Sequence, residues 1–253
     1  MAAAFQTVAS ATGSFTDTIV VSKPTDTVEG DLLVAFVNCR GVVSASTWTA
    51  SGWTTIEDGG FIDLYQSFNL VVGAFWKKAG PSEASTYSFV NSGSALQISA
   101  ISGAILRIDS QEATTPIAAA PAYAEAGTAS APDAPASGTV TSGDYLAIAA
   151  ACWDKSANTP PGSYTERADL AVISVATRDL TGVTSENPGA FGVAAEYGWA
   201  AFTLLIAAAS VATVNVYPDA DTTTTGWTAT PLFSKVDEDP ASPDGVVISA
   251  TAS

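Results

Sequence analysis

Short hydrophobic runs separated by turn residues dominate this chain. Leu32–Val37 is continuously apolar, which is typical of a strand covered on both faces. Tyr87 and Phe89 flank Ser88, an alternation typical of a strand with one buried face. No segment combines helical spacing of apolar residues with capping residues. The pattern predicts an all-β protein with strands at 17–22, 31–39, 47–56, 62–67, 69–78, 85–90, 96–108, 137–141, 144–152, 163–167, 170–179, 190–196, 199–209 and 211–217.

The same succession of segments occurs twice. Asp31 and Cys39 recur as Asp144 and Cys152, each 113 positions later. A turn with glycine and an aromatic residue follows each copy, and two apolar runs come after it. This internal repeat predicts two related structural units, and about seven short strands in each favour tandem antiparallel β-sandwich or jelly-roll-like units. The pattern leaves open whether the repeats form one continuous sandwich or two.

Composition divides the chain into four parts. We predict a first β-sandwich repeat over 1–110, an Ala/Pro-rich linker or extended surface segment over 111–136, a second repeat over 137–217, and an extended C-terminal arm over 218–253. The arm has apolar groups to bury but too few for a core of its own. We therefore expect it to contact another subunit through Trp227, Leu232, Phe233, Val246 and Ile248.

Charge narrows the choice of partners. The 253 residues carry a formal net charge of −16, and only 13% of them are charged. A field of this sign disfavours binding to nucleic acid or to an anionic membrane surface.

The apolar run Trp199–Val214 is shorter than the roughly 20 residues of a spanning helix and has no basic flank. We predict a buried strand, a turn near Ser210 and a second strand there.

Several kinds of catalysis are excluded by the residues present. The chain contains no histidine, so histidine-based triads and most zinc sites are ruled out. Phosphate-binding and nucleophile-elbow motifs do not occur. Cys39 and Cys152 match between the repeats, and we interpret them as small buried residues, with a disulfide as the less favoured alternative. We predict no enzyme activity, no catalytic residue, no metal and no cofactor.

Three weaker functional interpretations stay open. A pair of carboxylates could hydrolyse a glycosidic bond, although none of the acidic residues lies in a recognisable motif; the candidates are Glu57, Asp58, Asp63, Glu83, Asp109, Glu112, Asp154, Glu166, Asp169, Asp179, Glu186 and Glu196. Acidic segments at 219–221 and 237–239 could bind Ca²⁺. Sugars could stack on aromatic residues in or near turns, although core packing is favoured for Trp48, Trp53, Trp153 and Trp227.

Two turns have a structural interpretation. Asp31 and Asp144 each follow a glycine and open a strong strand. Glycine supplies an unusual φ angle, and aspartate bonds to nearby backbone. We therefore expect both aspartates to stabilise turns.

The segment Met1–Gln6 has neither a basic region nor an apolar core, so we expect no secretory signal peptide there.

The order of the motifs resembles a known type of module. GDLLVAFVN, SGWTTI, FWKKAGPSEASTYSFV and LQISAISGAILRID are followed by GDYLAIAAA, PPGSYTER and LAVISVATRDLTG. Over roughly residues 28–210 this succession resembles a β-sandwich module of tailed-bacteriophage virion proteins, and the tail resembles the opening of a second module. The resemblance implies a structural or adhesive role and brings no catalytic residue.

The function implied by this resemblance is structural. We expect a capsid decoration (cement) or head-associated protein on the exterior of the virion, assembled in the host cytoplasm. Its partners would be other copies of itself, in a closed oligomer such as a trimer, and virion proteins such as the major capsid protein. A tail or baseplate appendage and a carbohydrate-binding receptor-recognition module are the alternatives.

Overall fold

The chain folds into antiparallel β-sheets, so the predicted all-β class is confirmed. The computed structural model describes residues 3–42, 45–62, 69–127, 130–153, 159–192 and 198–209, with only the backbone described at 42 and 59–62. These residues contain no α-helix, only a 3₁₀ turn at Ala95–Gln97. The strands are β1 (Ala4–Gly13), β2 (Thr18–Ser22), β3 (Leu32–Val42), β4 (Trp48–Thr49), β5 (Thr54–Ile62), β6 (Asn69–Lys78), β7 (Thr86–Asn91), β8 (Ala100–Asp109), β9 (Ala122–Ala126), β10 (Asp133–Ala134), β11 (Gly143–Trp153), β12 (Thr165–Asp169), β13 (Ile173–Val183), β14 (Gly189–Ala190) and β15 (Trp199–Ala207).

Two five-stranded sheets form the centre of the molecule. The first large sheet has the order β1-β8-β3-β6-β5, and the second has the order β9-β15-β11-β13-β12. The repeated sequence segments match β8, β3, β6 and β5 with β15, β11, β13 and β12, so these four strands follow the same order in both sheets. That the two halves are related repeats stays a prediction. A small sheet, β2-β7-β4, and a ribbon, β10-β14, complete the described strands.

The two large sheets share one hydrophobic core. Phe36 of the first sheet and Phe202 of the second approach with ring centroids 5.7 Å apart. Val34 and Leu106 from the first sheet join Ile148 from the second in the same buried cluster. Outer cores lie on the far face of each large sheet, and the small sheet covers that of the first. The two halves of the described chain therefore contribute to one continuous layered structure rather than to two separate sandwiches.

Alternation along the central strands explains their continuous apolarity. In β3, Phe36 faces the shared core and Val37 faces the outer core. In β11, Ile148 faces the shared core and Ala149 the outer core. Each strand is therefore apolar throughout because successive side chains enter two different cores.

The two cysteines do not occupy equivalent positions in space. Cys39 lies in the outer core of the first sheet, whereas Cys152 lies in the shared core. The same displacement matches Phe36 of the shared core with Ala149 of the outer core, so the sequence match is one position out of step with the alternation of faces along the two strands. A bulge between Gly143 and Tyr145 interrupts the pairing at the start of β11. Both thiols are free and buried, so the alternative of a disulfide is wrong.

The interpretation of the aspartate turns is confirmed for Asp31 and is wrong for Asp144, because Gly143 has no positive φ and Asp144 bonds to a residue 38 positions away. Asp31 accepts the Val28 backbone N–H at 2.9 Å, after Gly30 with φ of +92°. Asp144 accepts the Gly182 backbone N–H at 3.1 Å. Asp31 also forms an ion pair with Arg107, which the sequence did not indicate.

The segment predicted as a linker contains sheet structure. β9 pairs with β15 as an edge strand of the second large sheet, and β10 pairs with β14. Isolated bridges join Gln111 to Ala208 and Ile117 to Ile206. The sequence prediction also lacks β1, and its strand at 137–141 does not form. The boundaries proposed at 110/111, 136/137 and 217/218 stay predictions.

The predicted strands at 62–67 and 190–196 lie mostly outside the described residues, and other expectations concern the end of the chain. Within the described part, Trp199–Ala207 is a strand, and no described helix is long and apolar enough to span a membrane. The predicted turn near Ser210, the strand at 211–217 and the arm at 218–253 lie outside the described residues.

Candidate functional site

An open cleft lies at one edge of the paired large sheets. Its volume is about 580 Å³. One side is formed by Thr55 and Ile56 of β5 together with Trp76 of β6. The other side is formed by Thr115 and the segment 117–121. Trp76, Ile56 and Ile117 are partly buried and pack against the margin of the shared core. The cleft therefore combines an apolar floor with hydroxyl groups.

The Glu112 carboxylate lies beside this cleft, since it is bonded to the lining residue Thr115. The Glu112 carboxylate accepts hydrogen bonds from the backbone N–H groups of Thr115 and Thr114 and from both hydroxyls, and these bonds lower its pKa to about 2. Burial raises the pKa of Tyr123, and the hydrogen bond that it donates to Glu125 and the charge of Glu57 raise it further. Lys78 contributes a positive charge and donates to the Ala113 carbonyl at 2.9 Å.

A second cluster of polar groups supports the small sheet. Lys77 contacts Glu83 at 2.8 Å and lies over the Tyr87 ring at 5.4 Å. Burial raises the pKa of Glu83, but hydrogen bonds from Lys77, the Gly80 N–H and Tyr87 outweigh it and lower that pKa. Each polar group has a partner inside the cluster, so we interpret it as structural.

The carboxylates considered from sequence have different environments, with Glu112 beside the cleft and Glu83 in the cluster under the small sheet. Glu186 accepts hydrogen bonds from Tyr164, just before β12, and from Arg178 of β13. No group of three or more metal-binding side chains occurs within the described ranges. Asp63, Asp154, Glu196 and the acidic segments at 219–221 and 237–239 lie outside the described residues.

The tryptophans considered as sugar platforms have different environments. Trp48 is 1% exposed and donates from Nε1 to the Val71 carbonyl at 3.0 Å, and Trp153 is fully buried. Trp53 is partly buried and packs edge-on against Tyr87 at 5.2 Å. Trp76, which lines the cleft, is not among the sequence candidates because it lies within an apolar run. Trp227 lies outside the described residues.

The residues predicted to contact another subunit also lie outside the described part of the chain: Trp227, Leu232, Phe233, Val246 and Ile248.

The structure instead reveals an exposed surface on the small sheet. We define the outer face as the side chains of Thr18, Val20, Ser22, Thr49, Thr86, Ser88 and Val90. Val20 is 48% exposed and Val90 is 39% exposed.

Thiol reactivity offers a direct check of the two buried cysteines. Burial raises the pKa of Cys39 to about 12, although a hydrogen bond from the Val71 backbone opposes this effect, and burial also raises the pKa of Cys152. A thiol with pKa about 12 is ionised in only about one molecule in 10,000 at pH 8. We expect neither thiol to react with Ellman's reagent in the native chain at pH 8 and both to react after denaturation. Rapid labelling of the native chain would contradict this burial.

Comparison with known proteins assigns neither a family nor a function to this chain. No protein-family model, no curated protein and no solved structure matches this chain.

Proposed function

We propose that the protein is a structural component of a bacteriophage virion, a capsid decoration or head-associated protein that joins neighbouring subunits on the particle exterior. Its partners are other copies of itself, in a closed oligomer such as a trimer, and the major capsid protein. The motif order resembling virion modules supports this role. The observation that carries the proposal is the uncharged outer face of the small sheet.

The outer face has the chemistry of a contact surface. Strands β2, β4 and β7 contain no charged residue. Val90 is paired with Thr18 and with Thr49, and Val20 lies two positions beyond Thr18 on the same face. Two further exposed apolar residues lie beside one end of this sheet, where Phe15 donates its backbone N–H to the Ile98 carbonyl and Leu96 is 83% exposed.

Charge explains why this face favours association. Two copies that each carry a net charge of −16 repel one another. Contact through a face without charges keeps carboxylates apart and removes Val20 and Val90 from water. We therefore propose that a second copy of this chain covers the outer face.

Sedimentation velocity and light scattering of the full-length chain test this proposal by measuring its self-association. We expect a closed oligomer that becomes tighter with added NaCl, because salt screens the repulsion. Val20→Glu or Val90→Glu places like charges opposite one another and should weaken association by about tenfold or more. Val28→Glu is the matched control, because Val28 is 58% exposed but lies outside the outer face.

Two substitutions in the arm distinguish its predicted contact with another subunit from the contact proposed for the outer face. If the arm holds subunits together, the full-length variant carrying Trp227→Ser and Phe233→Ser will dissociate while its secondary structure is unchanged. A chain that stays monomeric at about 100 μM in high salt, or an oligomer equally affected by Val20→Glu and Val28→Glu, would overturn the role of the outer face.

A further inference from the structure

We propose that the cleft beside Trp76 binds an uncharged oligosaccharide. This proposal goes beyond the structural role above and does not rest on it. The volume of about 580 Å³ lies within the roughly 300–1,000 Å³ of small-molecule sites. Its lining, one large aromatic side chain with aliphatic and hydroxyl groups around it, suits a ligand that has both apolar and polar faces.

Trp76 provides the platform. It lies near the end of β6, where it pairs with Val34 in the sheet and with Thr54 of β5. Its side chain is only partly buried, in contrast to the fully buried Trp153. The face of an indole carries negative charge density, which attracts the weakly positive C–H groups on one side of a sugar ring. Ile56 and Ile117 extend this apolar surface on either side of the cleft.

Polar groups surround this platform. The exposed side chains of Thr55 and Thr115 bring hydroxyls to opposite sides of the cleft. The Thr115 hydroxyl donates to Glu112 at 3.1 Å, which leaves its oxygen able to accept from a sugar hydroxyl. Carboxylate oxygens are acceptors for further hydroxyl donors, and Glu112 places them beside Thr115.

The surrounding charge selects against acidic glycans. Glu112 is bonded to the lining residue Thr115, and Glu57 directly follows the lining residue Ile56, whereas Lys78 is a nearby cation that donates to the Ala113 carbonyl. A sulfated or uronate-containing chain would meet this local field and the net charge of −16. A neutral sugar avoids that repulsion and can still donate hydroxyl hydrogens to the carboxylates.

The opposite edge of the same pair of sheets shows that the cleft is a local feature. There β1 lies beside β12, and the guanidinium of Arg167 stands over the Phe5 ring at 4.1 Å. This contact fills the margin of the shared core with an aromatic ring and a cation. At the edge between β5 and the segment 115–121, Trp76 instead faces an open volume.

The experiment uses the full-length chain and defined soluble oligosaccharides. Neutral gluco-, manno- and galacto-oligosaccharides are titrated while the indole N–H signals are followed by NMR, with heparin fragments and oligogalacturonate as anionic probes. We expect at least one neutral series to shift the Trp76 signal saturably, assigned through Trp76→Phe. We also expect Trp76→Ala to weaken that binding by tenfold or more.

Two further variants distinguish a loss of binding at the cleft from a loss of folding. Ala120→Arg places a long side chain at an exposed position of the cleft and should block binding without altering the core. Trp53→Ala removes a partly buried tryptophan on the other face of the first large sheet and should leave binding unchanged. The proposal is overturned if no neutral series binds at millimolar concentration, if only anionic probes bind, or if binding survives both Trp76→Ala and Ala120→Arg.

Discussion

Replacing Phe36 with alanine should lower the free energy of unfolding by about 3–5 kcal/mol. Phe36 is fully buried between the two large sheets. Its ring meets that of Phe202 at 5.7 Å with the planes inclined by 51°. Alanine would remove this contact and leave a cavity that the two sheets cannot close, because each sheet is also packed against its own outer core.

Urea denaturation of Phe36→Ala, Phe202→Ala and the double variant measures this effect. Because the two rings are in contact, the double variant should differ from the sum of the single ones by about 0.5–1.5 kcal/mol. Leu96→Ala is the control, since Leu96 is 83% exposed, and its cost should stay within about 0.5 kcal/mol. A cost below about 1 kcal/mol for Phe36→Ala would contradict one shared core.

The strands that sequence predicted well are those with strong apolar signals. The predicted strand at 69–78 coincides with β6 (Asn69–Lys78), and the prediction at 144–152 lies within β11. In both cases apolar residues run without interruption, over Leu70–Trp76 and over Tyr145–Trp153. The alternation at Tyr87 and Phe89 likewise identified β7, whose buried residues alternate with exposed ones.

The strands that sequence missed have weak signals of their own. β1 contains several small residues, Ala, Ser and Thr, and its residues are only partly buried or exposed. β9 lies in a segment rich in alanine and proline. Both are edge strands, stabilised by pairing with β8 and β15 rather than by local pattern. Such tertiary pairing is not visible in a single strand's sequence.

The sequence does not predict the candidate cleft, for a related reason. Its walls come from β5, from β6 and from the segment 115–121. These parts are far apart in the sequence, and β5 and β15, to which Ile117 is bridged, approach in the fold. In the sequence, Trp76 is one more member of an apolar strand, and only the structure reveals its exposed side. The alternation at Tyr87 and Phe89 predicted one exposed face of β7, but the sequence did not show that β2, β4 and β7 join into a single uncharged surface.

Replacing Arg107 with methionine should also cost about 3–5 kcal/mol, for an electrostatic reason. Arg107 Nε lies 2.6 Å from Asp31 Oδ2, and the side chains are 12% and 5% exposed. The same carboxylate oxygen accepts the Val28 N–H. Methionine keeps much of the packing volume but leaves the Asp31 carboxylate buried without its cation.

The double variant Asp31→Asn with Arg107→Met tests that explanation. Asparagine removes the unpaired charge but keeps a carbonyl oxygen that can accept from Val28, so the double variant should be more stable than Arg107→Met alone. Arg178→Met is the matched control: Arg178 is 40% exposed and pairs with Glu186 at 3.2 Å, so its loss should cost about 1 kcal/mol or less. Equal costs for the two arginines would mean that burial of the Asp31–Arg107 pair adds nothing, and that the turn at Gly30 is held by its backbone contacts alone.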